Sequence, residues 1–453
     1  MKSKAGTDTE FFRTEKIPKI LLQIAPPVML AQLIQAMYNI VDSFFVGKYS
    51  ESALTALSVI YPLQLIIIAL AVGTGVGVNT YMARLYAQKM PGQAEETAGT
   101  GTLLALGTWF IFAIFSIFCM RPYVLTSANT PEAIESAVIY GQIVCIGSIG
   151  AFLEGNWTKV HQSRGNMHRP MVAQTVGALT NIVLDPILIF GLGPVPELGV
   201  AGAAYATVSG QVAAAVITSF GGVGRLPERT KMPLYIKQIY WFGYASIIMQ
   251  ALFTVYIVIL NAILAGFSDS AVTVLGLYYK MQTFFFIPLM GLQTCIVPVL
   301  SFNYATKSYA RCREIMRDSY GFSCVFMLVG VICFVFFPVQ LIQVFSKSSE
   351  VIAIGKNAFP IIGARFIPAV FSLMTPVFFQ AIGNGKISLF LSVMRQICCL
   401  IPIFWLLSLI DLRFTWFAFP ISEVLVGVTV IALPSDSISL AIWLLSYKKF
   451  SLS

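Results

Sequence analysis

Charge is what this chain has least of. Of its 453 residues only 11% are Asp, Glu, Lys or Arg, while 57% are hydrophobic and the mean hydropathy is +0.81. A soluble domain carries about a quarter charged residues, so a water-soluble globule is excluded and the chain reads as an integral membrane protein. Histidine is scarcer still. His161 and His168 are the only two, both in the basic loop after the fourth predicted span, and without an HExxH sequence they argue against a zinc site. No GxxxxGK[ST] loop occurs, which argues against ATP hydrolysis. The run Gly73-Thr74-Gly75-Val76-Gly77 follows no strand and reads as a surface for close helix packing rather than a nucleotide turn. The eight cysteines are scattered, without a CxxC pair or metal spacing, and read as small apolar packing residues. No nucleophile or metal constellation is found for an intramembrane enzyme, and no cofactor is expected. The first 17 residues are polar and charged, with neither a signal-peptide hydrophobic stretch nor a cleavage site, so the first span is expected to be retained.

What is present is apolar length. Runs able to cross the hydrocarbon core, roughly 20 residues, fall near 18–46, 53–78, 97–120, 132–160, 169–192, 200–222, 236–266, 270–299, 318–346, 351–381, 387–410 and 414–434. This predicts an all-α polytopic membrane protein of twelve transmembrane helices. Twenty-one of the 29 Lys and Arg lie in the termini and alternate loops, whereas the opposite loops hold only Lys48, Arg121, Lys347, Lys356 and Arg413. The positive-inside rule then puts both termini in the cytoplasm, with a plasma membrane, the bacterial inner membrane, as the expected location. Topology alone accounts for the net charge of +9, and no nucleic-acid partner is needed. Beyond Phe414 the stretch Leu433-Pro434-Ser435-Asp436-Ser437 breaks the pattern and Leu440 to Leu445 is too short to cross, so an interfacial tail is expected.

The chain also nearly repeats itself at an offset of 218 residues. Tyr38 pairs with Tyr256, Tyr61 with Tyr279, Gln64 with Gln282, Gly73 with Gly291, and Gln162, Gly165 and Asn166 with Gln380, Gly383 and Asn384. A register held across loops implies two copies of one multi-span unit, a signature of secondary transporters. Six spans per copy is an even number, so the copies are parallel, pseudo-symmetric bundles about an axis along the membrane normal. The chain divides into an N-terminal six-helix lobe, 1–222, a cytoplasmic linker, 223–235, and a C-terminal six-helix lobe, 236–453. Turns are signalled at Gly47-Lys48-Tyr49-Ser50, at Gly191-Leu192-Gly193-Pro194, and at Thr130-Pro131-Glu132, which reads as an N-cap, a proline at N1 and an acid in the first turn.

An ionisable side chain at membrane depth is costly unless it faces a cavity or a partner. Asp42, Glu154, Asp185, Lys280, Arg365, Arg395 and Glu423 are the clear cases. Asp42 lies five residues before Gly47 and Asp185 six before Gly191, both on outward-running spans. At about 1.5 Å per residue both carboxylates sit roughly 8–9 Å below the outer ends, and Tyr140 and Thr207 reach a similar depth on inward-running spans. Tyr38 with Asp42, and Asn181 with Asp185, are spaced i, i+4 and share a helix face. Pro186 cannot donate to the Ile182 carbonyl and Pro27 interrupts the first span likewise, so bends are expected at both; broken helices in transporters line sites. Taken singly, each polar residue has a plainer reading, satisfaction inside its own bundle, but acids on separate helices at matched depth weigh against that for Asp42 and Asp185. At the 218 offset Asp42 becomes Leu260, Asp185 becomes Ile403 and Asn181 becomes Cys399. The acidic site around Asp42 and Asp185 is therefore expected in the N-terminal half alone. Tyr38, Asn39, Tyr140, Lys280 and Gln282 are expected to line the substrate cavity, with Lys280 alternatively snorkelling or pairing with Glu423.

Several segments resemble the multidrug and toxin extrusion (MATE) family: Pro27 through Tyr38-Asn39-Ile40-Val41-Asp42 to Val46-Gly47, Gln162 to Asn166, Asn181-Ile182-Val183-Leu184-Asp185-Pro186, Gly199 to Ala204, and Phe302-Asn303-Tyr304-Ala305. The resemblance covers residues 15 to 430. It implies two six-helix bundles forming a V-shaped cleft and efflux of organic, often cationic, compounds driven by H+ or Na+. In the DinF-like branch it implies coupling acids at Asp42 and Asp185, with Tyr38, Tyr140, Asn181 and Thr207 around them and a bending proline at Pro27. The acids of the NorM-like branch in its seventh and tenth helices have no counterpart, since 236–266 and 351–381 contain no Asp or Glu.

The expected function is a secondary active multidrug antiporter, acting as a monomer on small organic substrates in the lipid bilayer. Burial penalises a charged carboxylate, so proton uptake is the economical coupling event; Na+ held by oxygens of Asp42, Asp185, Asn181 and Thr207 is the alternative. The nearest rival is a lipid or polysaccharide flippase on a related scaffold, which is expected to carry more cavity cations and often fourteen spans. A receptor or channel would not require the paired acids.

Overall fold

The computed structural model describes residues 11–125, 131–191, 195–345 and 348–432, and among them there are helices, turns and loops but no strand. The tail after Pro434, the Thr130 cap and Leu192 to Pro194 lie outside the described residues. Among the described residues ten helices are long and apolar enough to cross a membrane, or up to twelve spans if two bent pairs count as one each. The first six are Ile17–Tyr49, Glu51–Ala87, Pro91–Val124, the pair Pro131–Gly147 with Ile149–Ser163, His168–Phe190 and Gly199–Ser219. The second six are Met232–Ala265, Asp269–Ala305, Tyr309–Phe336, the pair Ser349–Gly363 with Phe366–Ala381, Gly385–Ser408 and Leu412–Thr429.

Hydropathy predicts unbroken fourth and tenth spans, yet these bend by 41° and 53°. The fourth breaks at Ser148, whose hydroxyl bonds the Cys145 carbonyl at 2.7 Å, competing with the helical ladder. In the tenth, Pro360 removes a backbone donor within the turn before the break. The first span runs helical through Pro26 and Pro27 to Tyr49, so the turn predicted at Gly47 to Ser50 contracts to Ser50 alone.

The repeat is written into the backbone. The second and eighth spans are both 37 residues long and follow Ser50 and Ser268, whose hydroxyls accept from the N–H of Ala53 at 3.0 Å and of Ala271 at 3.2 Å. Such caps satisfy donors that the first turn leaves free. Lys89 and Lys307 both take a left-handed backbone, with φ of 61° and 58°, a conformation uncommon outside glycine. Its recurrence at the 218 offset identifies one loop template used twice.

The described residues fall into two compact units, one drawn from Met1–Glu15 and Leu22–Ala251, the other from Lys16–Leu21 and Leu252–Ser453. The sequence puts the boundary at 223–235, whereas packing carries the first half of the seventh span with the first unit. The cause is the Gly73–Gly77 run. A Cβ on Gly73 would lie 2.3 Å from Ile247 Cγ1, and one on Gly77 only 2.1 Å from the Ile239 carbonyl oxygen, so the second and seventh helices meet backbone to backbone. Tyr81 stacks on Phe242 at 5.9 Å across the same contact, and the Tyr235 hydroxyl donates to Glu96 of the third span, tying the seventh helix to a second neighbour in the first unit. Within the first unit, Val46, Ile60, Met120, Tyr140 and Phe152 belong to one buried apolar cluster.

Candidate functional site

The first unit gathers its intramembrane polar side chains on five spans. The fifth buries Gly177, Ala178, Asn181 and Asp185 on one face. Gly177 and Gly210 let the fifth and sixth helices touch through backbone, since a Cβ on Gly210 would stand 2.5 Å from the Gly177 carbonyl oxygen. That approach brings Thr207 to Asn181. The Asn181 amide lies 3.4 Å from Thr207 Oγ1 and 3.4 Å from Asp185 Oδ1, donating towards both. Tyr140 of the fourth span is 1% exposed; its hydroxyl bonds the Gln64 amide at 3.4 Å and the Thr207 side chain. Asp42 of the first span is a hydrogen-bonding neighbour of Asp185. Tyr38, one turn before Asp42, stands within electrostatic reach of Asp42, Asp185 and Glu154.

The unpartnered atoms define what this group can hold. Asp42 Oδ1, Asp185 Oδ2 and Asn181 Oδ1 are all buried acceptors without a hydrogen-bond donor. Each such acceptor costs about 1–3 kcal/mol, and two adjacent carboxylates oppose each other's charge. A proton shared by the pair, or a hard cation among the oxygens, relieves both penalties. Asp42, Asp185, Asn181 and Thr207 offer oxygen donors only, the set that suits a hard cation.

Asn39 is exposed. Pro27 is buried, and Pro186 sits inside a fifth span that closes on Gly191 in the left-handed conformation, φ 72°. Lys280 and Gln282 belong to the second unit. Lys280 is exposed, and Glu423 pairs with Arg365 and Arg395 instead of Lys280. Gln282 is 8% exposed with an unpartnered Oε1. Sequence reasoning left Gln64 out of the site. The available signal was an amide inside an apolar span, recurring as Gln282 in the second copy. Glu154 accepts from Thr158 at 2.7 Å and from the Gln174 side chain.

The MatE family model matches residues 27–187 and again 245–406, and the two starts keep the 218-residue offset. A FAD transporter of Shewanella oneidensis is 25% identical over 438 residues, covering 91% of this chain and 93% of that protein. The multidrug export protein MepA of Staphylococcus saprophyticus is 24% identical over 382 residues, covering 82% of this chain and 81% of that protein. A solved outward-facing structure of a multidrug resistance MATE family transporter has a TM-score of 0.88 at 22% identity, covering 97% of this chain and 99% of that one, a likeness of fold. With the family model matched twice, together over most of this chain, and with Asp42 and Asp185 both inside the first match, the chain belongs to the MatE family of multi-pass membrane transporters and is not an enzyme.

Proposed function

We propose that this protein is a secondary active antiporter that exports small organic, often cationic, compounds in exchange for a cation taken up at Asp42 and Asp185. One observation carries the reading: two neighbouring carboxyl groups in the first unit present buried oxygens that no protein donor satisfies. When the pair takes up a proton, its charge falls from two negatives to one and the proton lies on a carboxyl oxygen of Asp42 or Asp185. Losing one of the two charges lowers the desolvation penalty and ends the repulsion between the carboxylates. The first helix is built to respond, because Pro26 and Pro27 withhold backbone donors from the Leu22 and Gln23 carbonyls and so weaken its ladder on the inner side of Asp42. Sodium is the second reading for the coupling ion, favoured by the all-oxygen donor set. The protein is expected to act as a monomer in a bacterial inner membrane, with cytoplasmic termini.

The relatives named as multidrug exporters support organic cargo; the relative named as a FAD transporter supports a second, anionic cargo class. Purified protein in vesicles with imposed pH or sodium gradients tests the proposal. Ethidium accumulation driven by the pH gradient and indifferent to sodium is expected. Sodium-driven accumulation alone would move the coupling to Na+, and no accumulation of ethidium or FAD under either gradient would overturn the antiport reading.

A further inference from the structure

The second unit buries a charge cluster of the opposite sign. Glu423, 2% exposed, pairs with Arg395 at 3.2 Å and Arg365 at 3.8 Å and accepts from the Ser372 hydroxyl. Arg365, also 2% exposed, sits at the break in the tenth span, with its guanidinium 5.6 Å from the Tyr278 ring and 4.9 Å from the Phe419 ring. Arg395 lies in a π-helical turn, Met394–Leu400, inside the eleventh span, and Gln396 accepts from it at 3.1 Å in the amide orientation that satisfies both ends. π-turns inside helices concentrate at functional sites.

The charges do not balance. Two guanidinium groups share one carboxylate, and among the described residues neither has a second acidic partner. Donors are left over as well. Arg365 Nε faces Glu423 at 3.8 Å without closing to a hydrogen bond, and the hydroxyl of Tyr278, fully buried beneath Arg365, has no partner; Tyr256 and Tyr279 stand within electrostatic reach of the same guanidinium. A helix tie needs one arginine per carboxylate and leaves the second arginine and the spare donors unexplained. Nor does the scaffold require the cluster. At the 218 offset Arg365, Arg395, Tyr278 and Glu423 become Gly147, Gly177, Ile60 and Tyr205, and the first copy folds without any of the four.

We propose that the Arg365–Glu423–Arg395 cluster is an oxyanion-binding site that takes the carboxylate or phosphate of an anionic ligand, with Arg365, Arg395 and the Tyr278 hydroxyl as donors. Guanidinium groups match the planar, forked acceptors of such groups, and a buried surplus of positive charge is relieved by an anion. The site lies in the other unit from Asp42 and Asp185 and does not depend on the coupling role given to that pair.

The test is calorimetric titration of the full-length protein in phosphatidylcholine nanodiscs with benzoate, phenyl phosphate and their neutral counterpart benzamide. At least one anion is expected to bind tenfold or more tightly than benzamide, with Arg395→Gln weakening it at least tenfold, Tyr278→Phe weakening it severalfold and Asp42→Asn leaving it unchanged. Adding phosphatidylglycerol identifies the source of the oxyanion. Loss of benzoate binding supports the site with a lipid headgroup as occupant; unchanged binding supports it with a solute. Equal binding of the anions and benzamide, or no binding, overturns the proposal, as does wild-type affinity in Tyr278→Phe, a variant that removes one hydroxyl and carries the test if Arg395→Gln fails to fold. Loss of anion binding in folded Asp42→Asn would overturn the independence of the two sites.

Discussion

Replacing Asp185 by Asn asks most directly whether the acid pair couples transport to an ion. Asp185 is fully buried, accepts from Asn181 through Oδ1 and has no donor at Oδ2. The amide keeps the volume and the Oδ1 acceptor, while its NH2 supplies a permanent donor beside the Asp42 carboxyl. A hydrogen bond to a charged group contributes about 1.5–3 kcal/mol, so Asp185→Asn should fold and melt at or above the wild-type temperature. Transport should behave otherwise. A gradient of about one pH unit stores about 1.4 kcal/mol per proton, enough to sustain roughly tenfold accumulation for each proton exchanged. With the pair held in a state equivalent to one proton already bound, that ratio should fall to about one. The assay is ethidium accumulation in vesicles at imposed pH difference, with melting of the same preparation measured alongside. Wild-type accumulation by folded Asp185→Asn would refute the coupling argument, and Asp42→Asn, expected to lose accumulation too, provides the independent repeat.

Thr207→Val removes one hydroxyl at nearly constant volume from the Asn181–Tyr140 network; a lost hydrogen bond of about 1 kcal/mol should slow dye efflux about fivefold, and an unchanged rate would remove Thr207 from the site. Glu423→Gln leaves two buried guanidinium groups without their carboxylate, which should cost about 3–5 kcal/mol of stability, read as a lower melting temperature. At matched amounts of folded protein it should nevertheless reduce transport less than Asp185→Asn, and the reverse ranking would move coupling into the second unit. Gly77→Val drives a side chain into the Ile239 carbonyl, 2.1 Å from the Cβ position. Backbone cannot yield as a side-chain tip can, so a loss of about 1–3 kcal/mol or more is expected, and an unchanged melting curve would show that this contact does not hold the seventh span.

The acid pair was legible because its residues contradict their surroundings. Asp42 and Asp185 are isolated carboxylates in apolar runs, each one turn from a polar partner, and the fold makes them hydrogen-bonding neighbours. The hydrogen-bonded side chains around them were only half legible. Gln64 reaches Tyr140 across 76 positions, and an amide in a span does not announce which neighbour it faces. Glu423 shows the same limit. Lys280, Arg365 and Arg395 were all cations at membrane depth, and only the folded geometry separates the two that pair from the one that is exposed. The bends at Ser148 and beside Arg365 escaped hydropathy because a change in helix direction does not interrupt the run of residues that makes a segment long and apolar enough to cross. The unit boundary escaped it because the Gly73–Gly77 face declares that a helix packs there, not which helix.

The two copies explain why fold and chemistry were read from different residues. Ser50 with Ser268, Lys89 with Lys307 and Gly165 with Gly383 occupy matching caps and left-handed turns, and these are positions where backbone geometry restricts the side chain. They hold the register and say nothing about cargo. The positions to which coupling and anion binding are proposed differ between the copies: Asp42 against Leu260, Asp185 against Ile403, Gly177 against Arg395 and Gly147 against Arg365. Gly177 lies against Gly210 in the first unit, where a Cβ would stand 2.8 Å from the Gly210 carbonyl oxygen. Its counterpart Arg395 sits in a π-helical turn of the eleventh span, a local rewinding that changes how side chains are presented around it. One scaffold thus accommodates a glycine contact and an acid pair in its first copy and a buried cation cluster in its second. Transferring Asp42 to its repeat position as Leu260→Asp should therefore fail to create a second coupling site. Leu260 is fully buried, and the repeat partners of Asp185, Asn181 and Thr207 are Ile403, Cys399 and Leu425, none able to satisfy a carboxylate at that depth. The variant should lose stability, with no gain of proton-driven accumulation when combined with Asp42→Asn. Recovery of accumulation in that double variant would show that depth and helix position alone make the coupling site, and would overturn the claim that the surrounding oxygens are part of it.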